Sequence, residues 1–154
     1  MANIYNRRDF GYTIISRFEE EFRKTLINKL TTCYNNYLEG IPKGIIDKVN
    51  DKSSILFFED PLEFFENTDF PDLLEISSYK DNYSLLFPSI KILKTEFQTI
   101  LQNLYSLRCK IAHVKGFFTS IDLDKLLELC KSIIDYTDSS GNLKKLIQVI
   151  EQNP

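Results

Sequence analysis

The chain of 154 residues has the length of one domain. That is long enough to bury a substantial core, and 43% apolar residues, rich in Leu, Ile and Phe, argue against disorder. A net charge of −3 argues against a general nucleic-acid binder, which is usually basic overall.

Five glycines and five prolines leave few break points, so long helices are favoured over many short strands. Residues 1–8 are polar and read as a flexible N-terminal arm, with 9–154 forming one domain. From Asp9 to about Leu38 the apolar residues Ile14, Ile15, Phe18, Phe22, Leu26, Leu30, Tyr34, Tyr37 and Leu38 recur mostly every fourth position. This is one face of a long helix, with Gly40 and Pro42 as its stop. Ile41 to Asn50 fits a short helix, and Ser54 to Phe58 fits either a buried strand or a buried turn. Asp60, Pro61 and Glu63 carry the signature of a helix start, and Asp69 with Pro71 a second one. Tyr79 to Pro88 reads as a connection whose aromatic groups pack inward.

Ser89 is the expected cap of the next long helix, striped by Leu93, Phe97, Ile100, Leu101, Leu104, Leu107 and Ile111 and stopped by Gly116. Thr119 or Ser120 caps a third, which points Leu123, Leu126, Leu127, Cys130, Ile133 and Ile134 inward. Asp138 to Gly141 is a loop, and Leu143, Leu146, Ile147 and Ile150 stripe a final short helix. The expected fold is all-α: a single-domain helical bundle of three long helices and several short ones.

Cys33, Cys109 and Cys130 are odd in number and far apart, which reads as reduced, intracellular cysteine. The N-terminus lacks the apolar core of a secretory signal, and no apolar run approaches the roughly 20 residues that span a bilayer. A cytoplasmic protein without a membrane partner is the expectation. With one histidine and scattered cysteines no zinc site of standard spacing occurs. The isolated glycines make no phosphate loop, so neither metal nor cofactor is expected.

Charge is unevenly spread. Asp51 to Glu75 is strongly acidic, whereas Phe97 to Ile121 holds no acid but carries Arg108, Lys110 and Lys115. Two readings stand side by side, a chance gap and a local positive site shaped for an anion such as phosphate. The only histidine, His113, lies in that segment at an Arg-x4-His spacing from Arg108. Five residues of helix give about 7.5 Å of rise and about 140° of rotation, so the two side chains do not stack directly. Imidazole takes and gives protons near neutrality, and guanidinium offers a fork of donors to phosphate oxygens. Together they supply what phosphodiester transesterification needs. Phe117 and Phe118 either cover the end of the bundle or flank His113.

Leu104, Leu107, Arg108, Ile111, Ala112 and His113, late in a long helix and followed by a capped helix, resemble the HEPN (higher eukaryotes and prokaryotes nucleotide-binding) domain family. That family consists of all-α bundles with an Arg-x(4–6)-His signature. The resemblance is strongest over residues 93–135 and extends loosely to Phe18–Arg23. It implies a metal-independent endoribonuclease of the kind found in toxin–antitoxin, CRISPR and phage-defence systems. Arg108 and His113 would be the catalytic pair, Arg108, Lys110 and Lys115 the phosphate contacts, and a homodimer would set the site on its two-fold axis. RNA is the implied substrate, an antitoxin or effector protein a further partner, and a 2′,3′-cyclic phosphate the product. Cys109 stands where active members carry Asn, Asp or His, and thiol is a poor donor. Orientation of the pair then falls to Cys109 or Lys110, or the chain belongs with the non-catalytic dimerisation and sensor members.

Overall fold

The computed structural model describes residues 4–53, 59–113 and 117–152. Among them are eight α-helices and one short 3₁₀ helix, with no strand. The all-α class expected from the sequence is the class of the structure. The helices are α1 (Ile4–Cys33), α2 (Lys43–Ser53), α3 (Pro61–Phe65), α4 (Phe70–Ser78), α5 (Asn82–Leu86), α6 (Lys94–Ala112), α7 (Ser120–Thr137) and α8 (Asn142–Gln152). The 3₁₀ helix, Tyr37–Gly40, follows α1. The segment Ser54 to Phe58, which fits a strand or a turn, lies outside the described residues, as do Lys115 and Gly116.

The chain forms two compact units, one from the described residues of Met1–Phe22 and Thr95–Pro154, the other from those of Arg23–Lys94. The boundary falls inside α1.

In the first unit Ile14, Ile15, Phe18 and Phe22 of α1, Phe97, Leu101, Leu104, Leu107 and Ile111 of α6, and Leu126, Cys130 and Ile133 of α7 are buried. They recur at three- and four-residue steps, as an inward-facing helical stripe requires. Leu143 and Ile147 add the inner face of α8. Helix α1 begins at Ile4, so residues 4–8 are helical rather than a loose arm. Gly11 lets α1 come close to its neighbours: a Cβ there would lie 2.6 Å from the Phe118 ring and 3.1 Å from Ile111 Cδ1. Glycine costs about 1 kcal/mol in a helix relative to alanine, and the close approach is what it permits here. Thr119 caps α7 in a reciprocal box with Asp122, one of the two caps expected there. At the other end, Asp138 accepts hydrogen bonds from the Leu143 and Lys144 N–H groups, which α8 itself cannot satisfy. Glu21, buried, accepts from Ser140 Oγ at 2.6 Å and from Asn142 Nδ2 at 3.2 Å. Burial pushes the Cys130 thiol up to about 12.

In the second unit α1 stops at Cys33 rather than near Leu38. The Asn36 side chain accepts from the Leu38 N–H and caps the 3₁₀ helix, a local bond that competes with continuing the α-helix. Asn82 is wholly buried. Its amide donates to the Gly40 carbonyl at 2.8 Å and the Ile76 carbonyl at 2.7 Å, while its oxygen accepts from Tyr34 Oη. Asp60 and Asp69 cap α3 and α4 with Pro in the first turn, as expected, and Asp69 forms a reciprocal box with Asp72. Lys48 of α2 clamps both acids of that box at 3.0 Å.

Ser89 is not the cap of α6, which begins five residues later at Lys94. The Ile90 N–H closes a turn on the Phe87 carbonyl, and Tyr83 Oη donates to the Ile92 carbonyl, occupying an acceptor that an earlier helix would use. Leu93, expected on the apolar stripe, is 67% exposed.

Candidate functional site

Helix α6 turns Leu104, Leu107 and Ile111 into the core, which leaves Arg108 on its flank. There the guanidinium meets Glu19 of α1, Nε to Oε1 at 3.1 Å, with the two side chains 42% and 19% exposed. The segment free of acids in sequence is thus not free of them in space. Lys110 is also paired, Nζ to Asp122 Oδ2 at 2.8 Å. Burial would raise the Asp122 carboxyl, but the hydrogen bonds from Lys110 and Thr119 outweigh it and hold Asp122 below its usual value.

His113 is the first residue beyond α6 and is exposed. Its N–H donates to the Cys109 carbonyl at 3.0 Å, so the backbone still follows the helical path. Its carbonyl accepts from Arg8 Nη2 at 3.4 Å. The backbone is held on both sides while the imidazole stands at the surface. Cys109 is a half-buried free thiol, and Lys115 lies outside the described residues. Phe117 and Phe118 differ in burial. Phe118 is 2% exposed and covers the end of the core, whereas Phe117 is 76% exposed.

A sequence reading centred on α6 misses the contribution of α1. Arg8, Tyr12, Ile15, Ser16 and Glu19 recur at three- and four-residue steps, which sets them along one side of that helix. Arg8 reaches His113 and Glu19 reaches Arg108, so the two helices run antiparallel along the site. Tyr12, Ile15, Ser16, Glu19, Arg108, Ile111 and Ala112 wall a hollow of about 230 Å³. The signal that could have found it is the polar edge of the α1 stripe, with Tyr12 and Ser16 beside the buried Ile15.

A second hollow, in the other unit, is lined by Thr31, Tyr34, Asn35, Asn36, Tyr37, Glu59 and Pro61. Burial first, then Asp60 and Glu63, push the Tyr37 phenol up to about 12, so it stays protonated at neutral pH. Among the described residues no group of three or more His, Cys, Asp or Glu converges as a metal site, and no helix is long and apolar enough to cross a membrane.

No family model, no curated protein and no solved structure matches the chain.

Proposed function

We propose that the chain is a HEPN-type RNA-binding and RNA-cleaving module, a metal-independent endoribonuclease of a defence or toxin–antitoxin-type system acting as a dimer. The observation that carries this reading is that His113, just past the end of α6, is exposed and that Arg108, less than two turns before it, is partly exposed. In this reading His113 takes the proton of the attacking 2′-hydroxyl or gives one to the departing 5′-oxygen. The 2′-oxygen bonds to phosphorus as the 5′-oxygen leaves, which yields a 2′,3′-cyclic phosphate. Arg108 holds the phosphate and offsets the charge that builds on it.

The pairing of Arg108 with Glu19 is compatible with that role. A partly exposed ion pair contributes only about 0–1 kcal/mol, and a phosphate, with more charge and more acceptors, can displace the carboxylate. The rotation of about 140° between the two positions turns them to different sides of one helix. A site completed by a second copy across a two-fold axis suits that divergence.

The direct test is incubation with single-stranded RNA in EDTA. The wild type should cleave, and His113→Ala and Arg108→Ala should each lower the rate by about a hundredfold or more. Cleavage indifferent to both substitutions would sink the assignment. Light scattering at micromolar concentration should report a dimer, and a monomer there contradicts the composite site.

One observation favours a second reading: both described basic residues of the segment, Arg108 and Lys110, already hold carboxylates. In a non-catalytic dimerisation or sensor module that partners an effector or antitoxin, these pairs would be structural. Such a protein would dimerise, leave RNA intact in every variant, and lose stability on Arg108→Ala.

A further inference from the structure

The hollow beside Arg108 is walled by residues of two helices. Its α1 wall is Tyr12, Ile15, Ser16 and Glu19, and its α6 wall is Arg108, Ile111 and Ala112. Tyr12 is followed at three- and four-residue steps by Ile15 and Ser16 and then Glu19, and Arg108 by Ile111 and Ala112, so each wall is one side of its helix. At about 230 Å³ the hollow is smaller than the roughly 300–1,000 Å³ that encloses a whole small-molecule ligand. It admits part of a polymer rather than a free cofactor. Its chemistry is divided in the same way as a nucleotide. The Arg108 guanidinium suits a phosphate, the Ser16 hydroxyl can donate to or accept from a ribose oxygen, and the apolar floor of Ile15 and Ile111 is buried. Tyr12, on the α1 wall, is 63% exposed, an aromatic ring left at the surface of the hollow that Arg108 also lines. Unpaired bases are held by stacking on such rings.

We propose that this hollow is a single-nucleotide subsite for single-stranded RNA, in which Arg108 receives a phosphate and the Tyr12 ring stacks on the unpaired base attached to it. The inference rests on the reading of the chain as an RNA-binding module and adds to it a base contact and the exclusion of duplex. Glu19 is the resident partner of Arg108 and gives way as the phosphate enters. Base-paired RNA keeps its bases stacked inside the helix, so the Tyr12 contact is open only to unpaired nucleotides.

The test is equilibrium binding of a short single-stranded RNA at fixed salt to wild type, Tyr12→Ala, Tyr12→Phe and Arg108→Ala, with one abasic position moved along the strand. Tyr12→Ala should weaken binding by between about fivefold and about a hundredfold, and Tyr12→Phe should restore it. One abasic position should weaken the wild type by a similar factor and leave Tyr12→Ala no weaker than before. A structural role for Tyr12 would not produce that non-additivity. If Arg108→Ala binds poorly while Tyr12→Ala binds both intact and abasic RNA like the wild type, the stacking subsite is overturned and the RNA-binding reading stands. If Arg108→Ala binds like the wild type, or the wild type does not bind at all, the reading and the subsite fall together.

Discussion

The ion pairs of the two units differ in what else their members do. In the unit of Arg23–Lys94, Lys48 holds Asp69 and Asp72, and those acids also cap α4. Asp72 is buried there, and each carboxylate of the cluster answers both the lysine and a backbone N–H. In the other unit, the Arg108–Glu19 pair lies on the wall of a hollow, with Arg108 partly exposed. A pair embedded in a cap is part of the scaffold. A pair beside open space is replaceable, and replaceable charge is what a binding site needs.

The sharpest way to break that contrast is at Asn82, a wholly buried polar side chain of the second unit with three hydrogen-bond partners. Asn82→Ala leaves the Gly40 carbonyl without the Asn82 donor, the Ile76 carbonyl with only its bond from the Tyr79 N–H, and the half-buried Tyr34 hydroxyl without its acceptor, and should cost about 3 kcal/mol in urea unfolding. Asp72→Asn removes the charge of a buried acid that serves both Lys48 and the Asp69 N–H. A loss of about 1–2 kcal/mol is expected by the same measurement. Arg108→Ala should cost less than about 1 kcal/mol; a loss as large as that of Asp72→Asn would make the pair structural and favour the non-catalytic reading. Smallest in stability is Glu19→Gln, also under about 1 kcal/mol, but it frees the guanidinium and should tighten RNA binding by about two- to fivefold in a titration at fixed salt. Unchanged or weaker binding would mean that Glu19 does not compete with phosphate.

The clamp also has a pH signature. Burial would raise Asp69, but the hydrogen bonds from Lys48 and from the Asp72 N–H outweigh it and set its folded pKa below the usual value. Hydrogen bonds to Asp69 and Asp72 raise Lys48. A lowered acid contributes stability above its unfolded pKa of about 3.9 and loses it as pH falls through the folded value. A raised lysine contributes below its unfolded pKa of about 10.4 and loses it as pH rises through the folded value. The contribution of the clamp is therefore full between about pH 5 and pH 9. The advantage of the wild type over Asp69→Asn in urea midpoint should shrink on acidification below that window, and a pH-independent difference would contradict the assignment.

Much of the fold was legible in the sequence because local chemistry decided it. The apolar stripes of α1, α6 and α7 follow helical period, and the caps at Asp60, Asp69 and Thr119 need only residues within one turn. Failures came where a local or a distant bond changed a helix end. Asn36 diverted the chain after Cys33, and Tyr83 took the Ile92 carbonyl and pushed the start of α6 to Lys94. For the site, the placement of Arg108 and His113 late on α6 could be read from period alone. Their neighbours could not, because Glu19, Tyr12 and Arg8 come from a helix roughly 90 residues earlier that only tertiary packing brings alongside.

The three cysteines give the molecule its own reporter of local opening. Cys33 belongs to one unit and Cys109 and Cys130 to the other. A thiol held near 12 by burial is almost wholly unreactive toward alkylating reagents at neutral pH. Cys130 should therefore be modified only in molecules whose α7 has come away from the core. Its modification rate under native conditions, compared with that of unfolded chain, measures the opening free energy of the unit that carries His113. RNA bound to that unit should slow the reaction in proportion to its occupancy, giving a binding assay that needs neither cleavage nor a labelled strand.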